Sequence, residues 1–276
     1  MEFLASNESS VRLAVFLGTL VFMVFLESVM PKKARTMPRT KRWVTNFSLV
    51  AIDALAVRIL TPAAAVGVAV WSANHGVGLL NLVDLGWLLE AIIAFLVLDL
   101  AIYVQHVVFH KVPMLWALHS VHHVDRDIDA TTGIRFHPVE IVMSMLIKML
   151  LVLLLGPAAV VVILFEVVLN AAAIFNHSNL ALPKSLDRVL RAIIVTPDFH
   201  RVHHSVIQSE TDSNYGFFLS LWDKVFGTYV AQPRDEHDGM IIGLAEYQTD
   251  QPGQLGWSLL LPWIKSRTPA EVRSSD

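Results

Sequence analysis

The sequence predicts an all-α protein, a polytopic membrane helical bundle with a cytoplasmic helical cap. Three observations predict this fold. Apolar residues make up 54% of the 276 residues, above the roughly 45–50% usual for soluble domains. They are concentrated in long runs with few charges, as membrane spans require. The charged and polar residues collect between and after these runs.

Five apolar segments are long enough to cross a bilayer. Pro62 interrupts the second segment, and Gly156-Pro157 between the last two favours a tight hairpin. The segments are about 11–30, 44–71, 85–110, 139–155 and 158–176.

Charge predicts the orientation of these segments. The loop between the first two carries six basic residues and no acid, so the positive-inside rule makes it cytoplasmic. These residues are Lys32, Lys33, Arg35, Arg39, Lys41 and Arg42. Residues 111–138 and those after 177 are then cytoplasmic as well. Within them, 184–195 is expected to be an interfacial amphipathic helix with Arg188 and Arg191 toward the lipid headgroups.

Most of the twelve histidines fall in three clusters with helical spacing. These are HVVFH (His106, His110), HSVHH (His119, His122, His123) and HRVHH (His200, His203, His204). Spacings of three and four residues put side chains on one face of a helix. With the orientation above, all three clusters lie at the cytoplasmic membrane face, where His177 also ends the fifth segment.

Three histidines stand apart from this pattern. His137 is on the same side, where it is either a ligand, a hydrogen-bonding residue or the start of a helix before Pro138. His75 is on the opposite side, and His237 lies in an acidic loop (RDEHDG) that we expect to be solvated. We exclude these last two from the site.

Eight or nine imidazoles exceed the four to six ligands of one ion, so the clusters predict two metal ions. Imidazole ligands suit iron, zinc, copper or nickel, and zinc can replace iron in purified protein because it binds such ligands more tightly than Fe²⁺. The chain has no cysteine, which excludes Cys-ligated iron–sulfur clusters and thiolate haem. The HExxH of zinc proteases is absent. A net charge of −3 makes nucleic acid an unexpected partner.

Several acids are candidates for orienting the ligand rings, with a plain surface role equally open. They are Asp125, Glu140, Asp198 and Asp223. On the third segment, Asp99 and Tyr103 are further candidates for this role, because they share a stripe with His106 and His110. Glu166 shares the corresponding stripe with His177 on the fifth segment. Because lone charges in a bilayer are costly, we expect Asp99 and Glu166 to face inward and pair with Lys148 or Arg58. The alternative is that both bases extend outward and both acids are neutral.

Over roughly residues 95–230 the chain resembles the fatty acid hydroxylase / sterol desaturase superfamily of membrane di-iron enzymes. The clusters carry the resemblance together with RFHPVE, FNHSN, TPDFHRVHHS and NYGFFLSLWDKVFGTY. It implies two iron ions held by nine histidines. They are His106, His110, His119, His122, His123, His177, His200, His203 and His204. Some members have another histidine four residues after the one matching His177. Here that residue is Ala181, so either His137 substitutes or the site has nine histidines.

The resemblance also implies a reaction and its partners. We expect an enzyme that hydroxylates a C–H bond of a fatty acyl, sterol or related lipid, using O₂ and a separate electron donor (a ferredoxin, or a cytochrome b5-type protein with its reductase). Desaturation and ether-lipid monooxygenation are alternatives with the same site. A non-catalytic metal transporter is a third, disfavoured because the histidines collect at one face rather than along a path. We expect the lipid to enter between the third and fifth segments.

The predicted domains are 1–94 (membrane spans and the basic loop), 95–230 (the hydroxylase-like catalytic domain) and 231–276 (a cytoplasmic tail). The final residues, RSSD, lack an endoplasmic reticulum retrieval signal. This favours a bacterial inner membrane.

Overall fold

A computed structural model describes residues 7–264 of the chain. Its regular secondary structure over these residues is helical, and β-pairing is limited to isolated bridges. The predicted all-α fold is therefore confirmed. The long helices are α1 (Glu8–Val29), α2 (Arg39–Leu60), α3 (Ala64–His75), α4 (Trp87–Lys111), α5 (Pro113–His123), α6 (Pro138–Leu155) and α7 (Ala159–Asn176). Short helices follow: α8 (Lys184–Leu190), α9 (Pro197–His203), α10 (Gln208–Thr211), α11 (Leu221–Val225), α12 (Glu236–Gly239) and α13 (Leu255–Leu260).

Five segments of the described chain are long and apolar enough to cross a membrane, as predicted. They are Glu8–Val29, Arg39–Asn81, Trp87–Lys111, Pro138–Leu155 and Ala159–Asn176. The second contains both α2 and α3, which separate around Pro62. Only 11–44% of the residues in their most apolar stretches are buried. The remaining apolar faces, such as Leu17, Phe22 and Phe25 of α1, are exposed as lipid-facing side chains would be.

Helix ends follow local sequence signals. Pro113, Pro138 and Pro197 occupy the first helical positions of α5, α6 and α9, where proline costs no backbone hydrogen bond. Gly156 ends α6 in the left-handed conformation, with φ 68°. Gly78 packs directly against Gly156, because a Cβ added to Gly78 would lie 2.5 Å from the Gly156 backbone. The loop after α3 therefore packs on the α6–α7 hairpin, at the end of the bundle opposite to the histidines.

The segment between α5 and α6 is buried and is held by Arg42. The Arg42 guanidinium donates two hydrogen bonds of 2.7 Å to Asp125 and another to Asp129. Arg42 is 1% exposed, so this member of the basic loop is structural and belongs to α2. Asp125 was one of the candidates for orienting an imidazole. Instead both of its carboxylate oxygens are committed to Arg42.

Pairing of charges within the spans was predicted correctly for one acid and wrongly for the other. Glu166 lies 2.7 Å from the Lys148 ammonium and 2.7 Å from the Arg12 guanidinium of α1. Asp99 instead accepts hydrogen bonds from the Trp222 indole (2.8 Å) and the Leu219 amide (3.3 Å). The segment around α11 folds back against α4 and supplies both donors to one oxygen of this carboxylate, while Arg58 is exposed.

The interfacial helix is shorter than predicted, because α8 ends at Leu190. Leu186, Val189 and Ile193 are exposed, which suits a membrane interface. Arg191 does not extend toward headgroups, since its side chain lies 2.6 Å from Asp187.

The described part of the expected tail, 231–264, packs against the bundle. The Arg135 guanidinium donates to the Pro252 carbonyl (3.0 Å) and the Ser258 hydroxyl (2.8 Å). Residues 265–276 of the tail lie outside the described residues. The division into three domains stays a prediction.

Replacing Arg42 tests the buried network. We expect Arg42→Gln to destabilise the protein by about 3–5 kcal/mol, because it leaves two buried carboxylates without a countercharge. Lys41→Gln is the control, since Lys41 is 57% exposed and pairs only with exposed Asp250. That change should cost less than about 1 kcal/mol. Thermal unfolding of detergent-solubilised protein measures both. Equal melting temperatures would show that Arg42 does not hold the segment.

Candidate metal centre

Nine histidines converge in two adjacent buried groups. The first group is His106, His110, His119, His123 and His203, and the second is His122, His177, His200 and His204. Within each group, one ring nitrogen of every histidine lies within 4.8 Å of those of the others. Nine of the ten histidines between 106 and 204 are thus brought together, and each group is large enough to hold one metal ion.

The two three-histidine clusters each contribute to both groups. On α5, His119 and His123 point into the first group while His122 points into the second. Around α9 the division is reversed, with His203 in the first group and His200 and His204 in the second. Residues four apart share one helix face, and the residue three from the first lies at the edge of that face. Each HxxHH helix therefore lies between the two groups.

The contacts among ring nitrogens fit bound cations. His106 Nε2 lies 3.1 Å from His119 Nε2 and 3.0 Å from His203 Nε2. In the second group, His177 Nε2 lies 2.9 Å from His122 Nε2 and 3.1 Å from His200 Nε2. Two nitrogens that each lie about 2.1 Å from one ion, at right angles, are separated by about 3 Å.

The positions of the ring protons support this fit. In several of these rings the second nitrogen, Nδ1, lies next to an oxygen acceptor. The Nδ1 atoms of His106 and His203 lie 2.7 Å from the carbonyls of Tyr215 and Ser213. His122 Nδ1 lies 3.0 Å from the Arg135 carbonyl, and His177 Nδ1 lies 2.7 Å from that of Ala173. A carbonyl only accepts, so the proton of each neutral ring sits on Nδ1. The Nε2 lone pairs then face one another, an arrangement that a cation stabilises.

Burial keeps these rings neutral, which is the form that binds metals. Burial lowers the pKa of His203 to about 3. It lowers the pKa of His200 and His204 well below the usual value. Protonation therefore does not compete with metal binding near neutral pH.

Among the acids predicted to orient ligand rings, Glu140 contacts one directly. Its carboxylate accepts a 2.6 Å hydrogen bond from His119 Nδ1. Asp223 acts indirectly, through the backbone. It accepts from the backbone amides of Tyr215 (2.8 Å) and Gly216 (2.7 Å) and so holds the loop whose carbonyl binds His106.

Two other candidates bind elsewhere. Asp198 pairs with Arg201, and the Tyr103 hydroxyl lies 2.9 Å from the Thr228 hydroxyl. Together with Asp99 and Asp125, these side chains stabilise the surrounding fold rather than a ligand ring.

The remaining histidines lie outside both groups. His137 caps α6, where its Nδ1 accepts from the Val139 amide and its Nε2 donates to the Leu259 carbonyl, both at 3.2 Å. Both of its nitrogens are occupied, which argues against the ligand role left open for it. His75 is exposed and stacks on Trp71. His237 was expected to be solvated but is buried, 3.8 Å from Asp198.

Two contributors were missed from sequence. The Asp212 carboxylate lies 3.6 Å from His110 Nδ1 and 2.9 Å from the Lys111 ammonium. Its place in TDSNYG, after the last cluster, carried a weak signal. Gly133 packs so tightly that a Cβ there would lie 2.4 Å from the Ala173 carbonyl oxygen, which binds His177. Nothing in the sequence pattern indicates this contact.

A largely apolar cavity of about 230 Å³ reaches His106 and His119. Its walls come mainly from α4, α6 and α7 and include Ile102, Phe109, Ile141, Met145, Leu169 and Phe217. A groove on the outer surface between α4 and α6 shares Gln105 and Phe109 with this cavity. The Gln105 amide donates a 2.7 Å hydrogen bond to the Ser144 hydroxyl across this boundary. The groove thus lies between the third and fourth spans, whereas lipid entry between the third and fifth spans, as expected from the sequence, stays a prediction.

The family described as "Fatty acid hydroxylase" matches residues 91–228, half of the chain and the part that contains all nine grouped histidines. The chain belongs to the fatty acid hydroxylase family. The resemblance seen in its sequence motifs is therefore confirmed.

Similarity to curated members of this family extends over about half of the chain. Human alkylglycerol monooxygenase is 31% identical over 156 residues, 55% of this chain and 32% of that protein. Ornithine lipid hydroxylase OlsE of Rhizobium tropici is 29% identical, over 52% of this chain and 43% of that protein. Human cholesterol 25-hydroxylase is 29% identical, over 48% of each. The chain thus spans a third to a half of the length of these relatives. Their names support the predicted oxidoreductase class. No solved structure matches the chain.

Glu140→Leu tests whether a ring-orienting carboxylate tunes the metal centre. We expect metal affinity to fall by about 10–100-fold, because His119 loses the acceptor that fixes its ring. Glu140→Gln keeps an acceptor oxygen, so its metal affinity should lie between those of the wild type and Glu140→Leu. Metal retained against a chelator, measured by elemental analysis, gives the result. Glu246→Gln, an exposed carboxylate change, is the control. Unchanged retention in Glu140→Leu would contradict this role.

Proposed function

We propose that this chain is a membrane oxygenase that hydroxylates a lipid C–H bond with O₂ and electrons from a separate donor protein. The observation that carries the proposal is the contact between the first histidine group and an apolar cavity beside a lipid-facing groove. The names of the family relatives support the same chemistry.

The nine grouped histidines would hold two metal ions, which we expect to be iron. Two iron ions would supply O₂ activation for C–H oxidation at this site. The chain's own part is to hold the Nε2 atoms inward through acceptors such as the Tyr215 carbonyl and Glu140. Phe109, Phe136 and Phe217 line the cavity beside the ligand rings. They would exclude water and place a lipid carbon next to the metal centre.

A lipid would reach this cavity sideways from the bilayer. The groove between α4 and α6 is lined by Val104, Val108 and Met143, and Gln105 and Phe109 separate it from the cavity. Opening the hydrogen bond between Gln105 and Ser144 would join the two spaces. This route supports a membrane substrate rather than a water-soluble one.

The histidine groups would face the cytoplasm, where reduced carriers are available. Lys32, Lys33 and Arg35 lie at the histidine end of the bundle, which under the positive-inside rule supports this orientation. The electron donor would be a ferredoxin, or a cytochrome b5-type protein with its reductase. A bacterial inner membrane is the proposed location.

Ether-lipid monooxygenation is the second candidate. The similarity to proteins named alkylglycerol monooxygenase favours it. Hydroxylation of the carbon beside an ether oxygen gives a hemiacetal, which separates into an aldehyde and an alcohol. The same site would serve, and the substrate alone would distinguish the two reactions.

Histidine replacements test the oxidation. We expect His122→Ala and His203→Ala each to abolish formation of the oxidised lipid, because each removes a ligand from a different group and ligands act as a unit. Comparative lipid mass spectrometry of cells making each variant detects a product heavier by one oxygen. His75→Ala, remote and exposed, should retain full activity.

The number of metal ions bound per chain tests the proposed two-metal site. The wild type, produced with ample iron, should hold two ions per chain. One ion or none, or product persisting in either cluster variant, would refute the assigned chemistry. A product lighter by two hydrogens would indicate desaturation instead.

Cysteine labelling tests the orientation. Ala73→Cys, near the end of α3, should react with an impermeant thiol reagent from outside, and Ser209→Cys only from inside. Both positions are exposed, and the chain has no native cysteine, so background labelling is low. Labelling of both positions from the same side would contradict the proposed orientation.

A further inference from the structure

The end of the cavity remote from the histidines is charged. Lys148, Glu166 and Arg12 line it, and Glu166 lies 2.7 Å from each of the two bases. Arg12 also lies 2.7 Å from Glu8 of its own helix. Glu166 is 1% exposed and the Lys148 side chain 13%. A cavity with an apolar middle thus ends on a cluster of charged groups around the buried Glu166 carboxylate.

These polar groups have unused hydrogen-bonding capacity. A lysine ammonium has three donors and a guanidinium has five, whereas the contacts of Lys148 and Arg12 use only some of them. Asn170 also lines the cavity, and its exposed side chain makes no hydrogen bond to another described residue. The cavity floor therefore presents free donors to whatever fills it.

The spacing along α7 sets the distance between the two ends. Ala173 lines the cavity at the histidine end, and its carbonyl binds His177. Glu166 lies seven residues earlier on the same helix, so the two ends are about 10 Å apart. A ligand with one carbon at the histidine end would place a group about 10 Å along its length against the charged floor.

We propose that the cavity binds an amphiphile with a neutral oxygen group, a hydroxyl or carbonyl, about 10 Å from the carbon that is oxidised. This inference rests on the proposed function and names its substrate class. Lys148, Arg12 and Asn170 hold the oxygen, while Ile102, Met145 and Leu169 enclose the apolar part between it and the histidines.

Charge and hydrogen bonding select this class. A plain hydrocarbon leaves the donors of the floor unpaired next to an apolar chain, which is unfavourable. A carboxylate or phosphate adds a charge to a cluster in which the two bases are already balanced by Glu8 and Glu166. An uncompensated charge within a bilayer is costly. A neutral oxygen accepts the free donors without this cost.

Binding of three probes of equal length tests the proposal: 1-decanol, decane and decanoate. The full chain is used as purified, without reductant, and apparent Kd values come from ligand-dependent thermal unfolding. Asn170→Leu removes one donor. The double change Lys148→Gln with Glu166→Gln removes a base and its acid together. Arg58→Gln, an exposed change on α2, is the control.

The measured quantity is the ratio of the apparent Kd for decane to that for 1-decanol. We expect this ratio to be at least about tenfold larger in the wild type and in Arg58→Gln than in either cavity variant. A change of about tenfold is the effect of losing a hydrogen bond to a charged or buried group. Partitioning into detergent is common to all variants and cancels in this ratio. An equal preference in the wild type and both folded variants overturns the proposal. Tightest binding of decanoate overturns it as well. Because binding requires neither O₂ nor reductant, these outcomes are independent of the oxidation test.

Discussion

The structure around the nine grouped histidines depends on the partners of their ring nitrogens, because a buried polar atom without a partner is costly. In this protein the partners are divided by direction. In rings such as His106 and His122 the Nε2 atom turns inward toward the Nε2 atom of another ring, and the Nδ1 atom turns outward to an oxygen acceptor, the carbonyl of Tyr215 or of Arg135. The loop at 213–217 serves this requirement, because the carbonyls of Ser213 and Tyr215 lie outside helices and accept from His203 and His106.

The acceptors must themselves be fixed, and buried charged side chains do this. Asp223 anchors the loop that contacts His106. Arg42 holds the segment that leads to Arg135, whose carbonyl faces His122 and whose guanidinium binds residues near the C-terminal end of the described chain. Contacts therefore run from the second span to the second histidine group. A buried ion pair such as that of Arg42 contributes less to stability than to selecting a single arrangement of the fold, and a candidate metal centre needs such an arrangement.

The five spans and the nine converging histidines were predictable from sequence, because apolar length and helical spacing are local properties. How the histidines divide between two groups was not, since spacing defines a face on one helix and not the position of the neighbouring helices. His137 shows the limit most clearly. It lies on the correct side of the membrane, yet capping α6 and binding the Leu259 carbonyl occupy its ring. The ligand roles themselves stay predictions until a metal is measured.

Charged residues were harder to interpret than histidines. Glu166 was matched to Lys148, but its second partner, Arg12, lies in the first span, far from it in sequence. Asp99 accepts a hydrogen bond from the Trp222 indole instead of pairing with a basic side chain. A carboxylate in a span indicates that some partner exists, without indicating whether it is a cation, an indole or a backbone amide.

The tight packing at Gly133 divides the cavity wall into positions that can and cannot vary. Any side chain at 133 would displace the Ala173 carbonyl and with it the His177 ring. Ile102, Ile141 and Met145 line the same cavity from helices. Divergence toward new lipids, in nature or in directed evolution, is therefore expected to proceed through these helical positions. Position 133 should remain glycine in every descendant that keeps the Ala173 carbonyl against the His177 ring.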